Sequence, residues 1–423
     1  MLTPHKCVDV PGSGIARRRL LPLRSDMQSV AATDAEKRAV PSARTQRICF
    51  FGAVAAVFLA LLVGFDFLRF PIRADELHFW PTSVALFENG FPTLAQLQTY
   101  NELSTPLPFL IFGGLEHMFH GGIVVGRAIN MVSSLAILLI IGALGNFSLR
   151  ALLCAAGLLL FPYFVLVGTH LYTDPIAVLF GVAGVALYLR GRAWGSAVCF
   201  IVGIACRQYI VAFPLALFAR GLVVQVRLRR FALGSTLFAP AIATVSLAGW
   251  YLFFGDFAPQ AALHAQKLAA GRLYPEHGLY FLTCIGLYFV VLECILFRSI
   301  AHLLARGVGA IVIVAVVTIL FAVFPPMENI NPPVATMGYL DIAARSVLPT
   351  PARVTLFWAL AVIACLRLRP LSTAGLMLYA NAALLACAHV AWDKYALPML
   401  ATLWLLKAAD QLDEVKAAPV VRF

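Results

Sequence analysis

Long apolar runs separated by short polar turns set the pattern of this chain. A membrane helix needs about 20 apolar residues, or about 17 at the short end. Runs of that order lie at residues 48–69, 126–146, 150–168, 175–191, 231–254, 278–297, 307–324, 350–366 and 371–391, with a short last one at 395–406. Two stretches break the pattern. Leu107 to Phe119 is too short to span comfortably, holds Gly113-Gly114 and is interrupted by Glu116 and His117, so it is expected to be a juxtamembrane or re-entrant helix. Trp194 to Arg220 is long enough for one tilted helix but carries Arg207-Gln208 at its middle. An unpaired charge there would cost at least ~2.5–3.5 kcal/mol, and two short helices turning at Arg207 avoid it.

Composition fixes the class. Hydrophobic residues make up 61% of the 423 and charged ones 12%, with mean hydropathy +0.88, which is too apolar for a soluble domain of this length. The expectation is an all-α polytopic membrane protein. Residues 1–47 are polar and basic, with no apolar core before a small-residue cleavage site, so no secretory signal peptide is read and the first span anchors itself. The nine cysteines are mostly scattered in apolar runs without ligand or disulfide spacing and read as small core residues.

The net charge of +12 could suggest nucleic acid, but the basic residues cluster in short turns between apolar runs, which is a topology signal instead. With the N-terminus cytoplasmic, the turns holding Arg150, Arg190 and Arg192, Arg227 to Arg230, Arg298 and Arg306, and Arg367 and Arg369 are cytoplasmic too, and most of the 32 Lys and Arg lie inside. A full span at 107–119 would invert every later loop. The charge pattern therefore predicts 12 spans with both termini inside. A disordered basic tail (1–47) and a cytoplasmic tail (408–423) flank one membrane domain (48–407), and an outer loop at 71–121 holds short amphipathic helices.

On this topology the outer loops collect the chemistry. Asp75, Glu76 and His78 follow the first span; Tyr172 and Asp174 join two spans; Arg207 and Gln208 form a turn; Asp256, His264 and Lys267 share a later loop. An acidic pair at a membrane surface is by itself an ordinary solvated loop charge. Thr173 and Asp174 before Pro175 also make an ordinary helix start. Arg207 is harder to explain structurally, because a cation inside an apolar run is by default functional, snorkelling aside, and arginine suits a bidentate grip on phosphate. His264 and Lys267 are one helical turn apart, so both could face one ligand. His117 and His120 have helical ligand spacing but no carboxylate partner, and no metal site is assigned.

The order of these pieces resembles the dolichyl-phosphate-glucose-dependent alpha-1,2-glucosyltransferase family, within the glycosyltransferase C superfamily. The residues that carry the resemblance are Asp75-Glu76-Leu77-His78-Phe79 with Pro81, Ser104-Thr105-Pro106-Leu107-Pro108, Gly126-Arg127-Ala128-Ile129-Asn130, Phe161-Pro162, Tyr172-Thr173-Asp174, Cys206-Arg207-Gln208, and Gly255-Asp256 with His264. They span about residues 48 to 290. The resemblance implies interfacial helices in the first outer loop and inverting transfer of a hexose, glucose first, from a polyprenyl-phosphate donor to a hydroxyl of a lipid-linked or cell-envelope glycan. Asp75, or Glu76 beside it, would be the base, and Arg207, His264 and Lys267 would hold donor phosphate or sugar. His78, Tyr172, Asp174, Gln208 and Asp256 complete the expected substrate-binding set.

No cofactor is required; a divalent metal is compatible but not implied. The membrane would be the bacterial inner membrane or the endoplasmic reticulum, with the site on the non-cytoplasmic face. Asn329 to Pro333 and Asp341 do not align with the family, and Tyr209 stands where it has threonine, so the acceptor is left open. The rival class is a transporter or lipid flippase, which would place ionisable groups at the bilayer midplane on broken helices and usually show an internal repeat. Glu293 and Arg207 are the candidates for such charges, and no repeat is visible. The sharpest expectation is geometric: Asp75 and Glu76 should look across a groove at Arg207.

Overall fold

The computed structural model describes residues 42–229, 234–265, 273–298, 307–327 and 337–413. The chain divides into a unit of residues 1–45, of which only 42–45 are described, and a compact unit from Gln46 onward that holds every feature discussed below. All described secondary structure is helical. Six helices are long and apolar enough to cross a membrane: Ala43–Gly64, Ile123–Leu144, Gln208–Leu228, Ser235–Phe254, Pro275–Phe297 and Thr350–Arg367. Leu149–Leu159 and Pro162–Thr169, bent by 77° at their junction, make a seventh if the pair is one span.

The remaining apolar runs form shorter helices, which is why length alone yields six or seven spans where the hydropathy pattern predicts about twelve. Asp174–Leu189 has 16 residues, Val308–Val323 16, Ala193–Cys206 14, and Leu107–Phe119 and Thr373–Leu385 13 each. The first run also stops early. Its helix ends at Gly64, and Asp66, Phe67 and Leu68 take left-handed backbone at φ 45°, 48° and 66°. The last helix, Leu397–Ala408, is buried at all 12 positions and packs on Asp174–Leu189, Leu149–Leu159 and Ile123–Leu144. It is the axis of the bundle, and its shortness reflects enclosure by protein.

Local chemistry sets the ends of the elements that carry the site. Proline at the first turn starts Pro162–Thr169, Asp174–Leu189 and Leu397–Ala408, where the missing N–H would be unpaired anyway. The 71–121 segment forms three short helices, Glu76–Ala85, Leu94–Thr99 and Leu107–Phe119. Thr93 and Gln96 close a capping box on the second. The first and third touch at Gly113, where a Cβ would lie 2.1 Å from the Ser83 carbonyl oxygen; only glycine allows that approach. At Arg207 the chain does turn: Ala193–Cys206 ends, Arg207 is extended (φ −150°, ψ 122°), and a short 3-10 segment Gln208–Val211 leads into Ala212–Leu228.

Candidate functional site

The two acidic residues of the opening pair part company. Ala74 sits at φ 49°, and the turn it makes sends the next two side chains to different places. Glu76 is fully buried and forms a two-point pair with Arg127, Nε to Oε1 at 2.7 Å and Nη2 to Oε2 at 2.6 Å. Its oxygens also accept the Leu171 N–H at 2.7 Å and the Arg73 N–H at 3.1 Å. Arg127 in turn donates to the carbonyls of Leu68, Phe70 and Pro71 and lies 3.8 Å from the Phe70 ring centroid. Four donors thus meet the two carboxylate oxygens, as many as they can accept. The expectation that Glu76 could serve as base or face Arg207 is corrected: it is a structural anchor that fastens the first loop to the helix Ile123–Leu144.

Asp75 faces the other way. Its Oδ2 accepts from Lys394 Nζ, and its side chain keeps 26% of its surface accessible. Lys394 is buried and ringed by Tyr172, Trp392 and Tyr395, with Nζ 5.2, 4.9 and 5.7 Å from their centroids. Burial by itself would lower its pKa, but Asp75 foremost, with Tyr395 and Asp174, outweighs that and raises it, so the ammonium stays charged.

Beside this pair, Arg207 Nη2 donates to Asp174 Oδ2 at 2.9 Å, and Tyr209 Oη donates to Oδ1 of the same carboxylate at 2.5 Å. Asp174 is fully buried. Arg207 Nε is buried with no hydrogen-bond partner among the described residues, and the side chain as a whole keeps 11% of its surface accessible.

Glu102 completes the cluster. It is half-buried, and burial lifts its pKa to about 7; Arg207 and Lys394 pull it down and Asp75 pushes it up, so all three charges act on it. Its loop is held by Gln208 Nε2 to the Leu103 carbonyl at 2.7 Å, Thr105 Oγ1 to the Ile204 carbonyl at 2.8 Å, and the Tyr100 hydroxyl to the Ser104 carbonyl.

The other expected site residues are placed as follows. Tyr172 is buried beside Lys394 and edge-on to Phe79. Gln208 bridges two loops, donating also to the Phe257 carbonyl at 3.0 Å. His78 is exposed on the outside of its helix. Among the described residues, Asp256 accepts its neighbour's N–H, Phe257 at 2.6 Å, and its charge acts on His389. His264 is exposed at the end of Gln260–Ala265. Lys267 lies outside the described residues, as do Asn329 to Pro333. The structure thus brings Asp75, Tyr172, Asp174 and Arg207 together; Glu76 lies beside Tyr172 but is taken up by Arg127 and the Leu171 N–H, and His78 and His264 are exposed.

Two members of the cluster were not singled out from sequence. Lys394 carried a signal, a lysine between Trp392 and Tyr395 at the start of an apolar run. Glu102 carried none beyond its place in the first outer loop. Among the described residues no group of three or more His, Cys, Asp or Glu is arranged to hold a metal ion. Glu293, the acidic residue a transporter would need free, is instead bound by Arg367 and Lys407 at 2.7 Å each. Comparison with protein-family models, with curated proteins and with solved structures gives no match to this chain.

Proposed function

We propose that the protein is a membrane glycosyltransferase of the glycosyltransferase C type, moving a hexose from a polyprenyl-phosphate donor to a hydroxyl of a lipid-linked or cell-envelope glycan. The observation that carries the reading is the convergence of two cations and two accessible carboxyls: Lys394 and Arg207 beside Asp75 and Glu102. Transfer of a sugar from phosphate needs fixed cations where charge develops on the leaving oxygens, and a carboxylate to take the proton of the attacking hydroxyl. Lys394 and Arg207 are the cations suited to the phosphate. The aromatic rings around Lys394 offer a face on which a sugar can lie.

In this reading the short helices complete about twelve crossings, some of them broken, with both termini in the cytoplasm and the cluster on the opposite face. Asp75 is essential in either of two roles, as base or as the anchor of Lys394. The charges a flippase or transporter would use are engaged: Glu293 by two cations, Arg207 by Asp174.

The test is transfer by purified protein in lipid nanodiscs supplied with undecaprenyl-phosphate glucose, with release of polyprenyl phosphate as the readout. Turnover by the wild type and its loss in Asp75→Asn and Arg207→Met is the expected result. No turnover of this donor or of its mannose and galactose counterparts would overturn the reading.

A further inference from the structure

Asp75 and Glu102 are the two carboxyls open to the cluster, and they differ in how they are held. Asp75 gives one oxygen to Lys394. Glu102 forms no hydrogen bond or ion pair with another described residue, although the loop around it is fastened on three sides by Gln208, Thr105 and Tyr100. A side chain left unpaired in a fixed, half-buried loop is positioned for something that arrives from outside. Tyr100 is the remaining titratable group in contact with its field, and Tyr100 is held by the Ser104 carbonyl. The groups that face Glu102 are therefore Arg207, Asp75, Lys394 and Tyr100.

We propose that Glu102 is the acid–base carboxyl of this site. Ionised, it takes the proton of the attacking hydroxyl as the bond from that oxygen to the sugar C1 forms. The bond from C1 to the phosphate oxygen breaks, and its electron pair leaves on the phosphate between Lys394 and Arg207. Asp75 keeps Lys394 directed at the phosphate. The assignment rests on the hexosyltransferase reading of the cluster and deepens it.

Two physical points support the division of labour. A base works best with a pKa near the working pH, and burial brings Glu102 to about 7. A carboxylate that has to keep a buried ammonium charged and in place would abandon that partner if it accepted a proton, and Asp75 is so placed. Moreover, protonated Glu102 lowers the negative charge of the cluster by one, which favours entry of an anionic donor. Its ionisation then prepares the proton transfer.

The experiment compares wild type, Glu102→Gln, Glu102→Asp and Asp75→Asn in nanodiscs, with undecaprenyl-phosphate glucose as the probe and water or added glycan as acceptor. Turnover is followed from pH 5 to pH 9, and carboxyl protonation is followed separately by infrared titration of the same samples. Wild type is expected to show an acid limb near pH 7 and a carboxyl titrating there, with Glu102→Gln removing both and lowering turnover at least about 100-fold. Glu102→Asp should keep a limb at shifted pH, and Asp75→Asn, which loses turnover, should leave the titrating carboxyl in place. A Glu102→Gln protein that keeps the limb and the rate overturns the assignment, as does an infrared carboxyl signal near pH 7 that the substitution leaves at its wild-type amplitude, the contribution of Asp393 near 6 being common to both proteins. A wild type without turnover overturns the hexosyltransferase reading itself, and this assignment falls with it.

Discussion

Lys394 and Lys407 stand near the two ends of the same buried helix, thirteen residues apart, which is about 20 Å at about 1.5 Å per residue. Both meet carboxylates, yet the two ends are built differently. At the Lys407 end, Glu293 is fully buried and accepts three charged donors: Arg367 Nε and Nη2, and Lys407 Nζ, each at 2.7 Å. Arg367 also holds Asp413, at 2.5 and 3.1 Å. Charge balances there, two cations against two carboxylates. At the Lys394 end, Asp75 is a quarter exposed, Arg207 keeps an unpaired N–H and Glu102 has no described partner. The difference teaches that buried charge in an apolar chain can be closed by its own partners, as Glu293 is, or left partly open, as Asp75 is. Glu76 and Asp75 repeat the contrast between neighbours in sequence.

The largest effect should come from opening the closed end. Glu293→Ala leaves Arg367 and Lys407 without their carboxylate, and breaking such a buried pair costs about 3–5 kcal/mol. Thermal unfolding in nanodiscs should show a large drop in midpoint, and an unchanged midpoint would contradict the closed description. Next in size, Lys394→Met should lower donor turnover by about 100-fold or more while leaving the unfolding midpoint near wild type. If stability falls and turnover does not, the open end is structural after all.

A smaller effect attaches to Asp393, next to Lys394. Its buried carboxylate accepts Tyr280 Oη at 2.5 Å, Tyr288 Oη at 3.1 Å and the Leu340 N–H at 2.9 Å, and so ties the Tyr339–Val347 helix to the core behind Lys394. Asp393→Asn should cost about 1–3 kcal/mol. Burial, opposed by those hydrogen bonds, lifts the Asp393 pKa from 3.8 to about 6. The folded state thus binds the proton more tightly than the unfolded one. That contribution to stability is full below about pH 4 and is lost as pH rises through about 6. The deficit of Asp393→Asn relative to wild type should therefore shrink from pH 4 to pH 6.5, as read by unfolding midpoints at each pH; a constant deficit would refute the titration. Least of all, His78→Ala and His264→Ala should stay within about 0.5 kcal/mol of wild type and leave turnover within about twofold, because both side chains are exposed.

Much of the architecture was readable in one dimension. Periodic apolar runs announced membrane helices, and the cost of Arg207 in hydrocarbon predicted the break that the chain makes there. Glycine and proline interruptions in 71–121 announced short helices. Helix lengths were less legible. Hydropathy cannot tell an apolar run that faces lipid from one wrapped by other helices, and Leu397–Ala408, enclosed along its whole length, is the clearest case.

By itself the sequence determined a chain of apolar helices, several of them long and apolar enough to cross a membrane, broken at Arg207, because apolar length and the cost of burying charge act locally. Only the tertiary structure decided which of two adjacent carboxylates is open. Glu76 is closed by Arg127, 51 residues away, and Asp75 meets Lys394, 319 residues away. Lys394 and Glu102 joined the cluster on the same ground: whether a buried charge is satisfied depends on partners brought near by packing, and no spacing along the chain encodes a partner that distant.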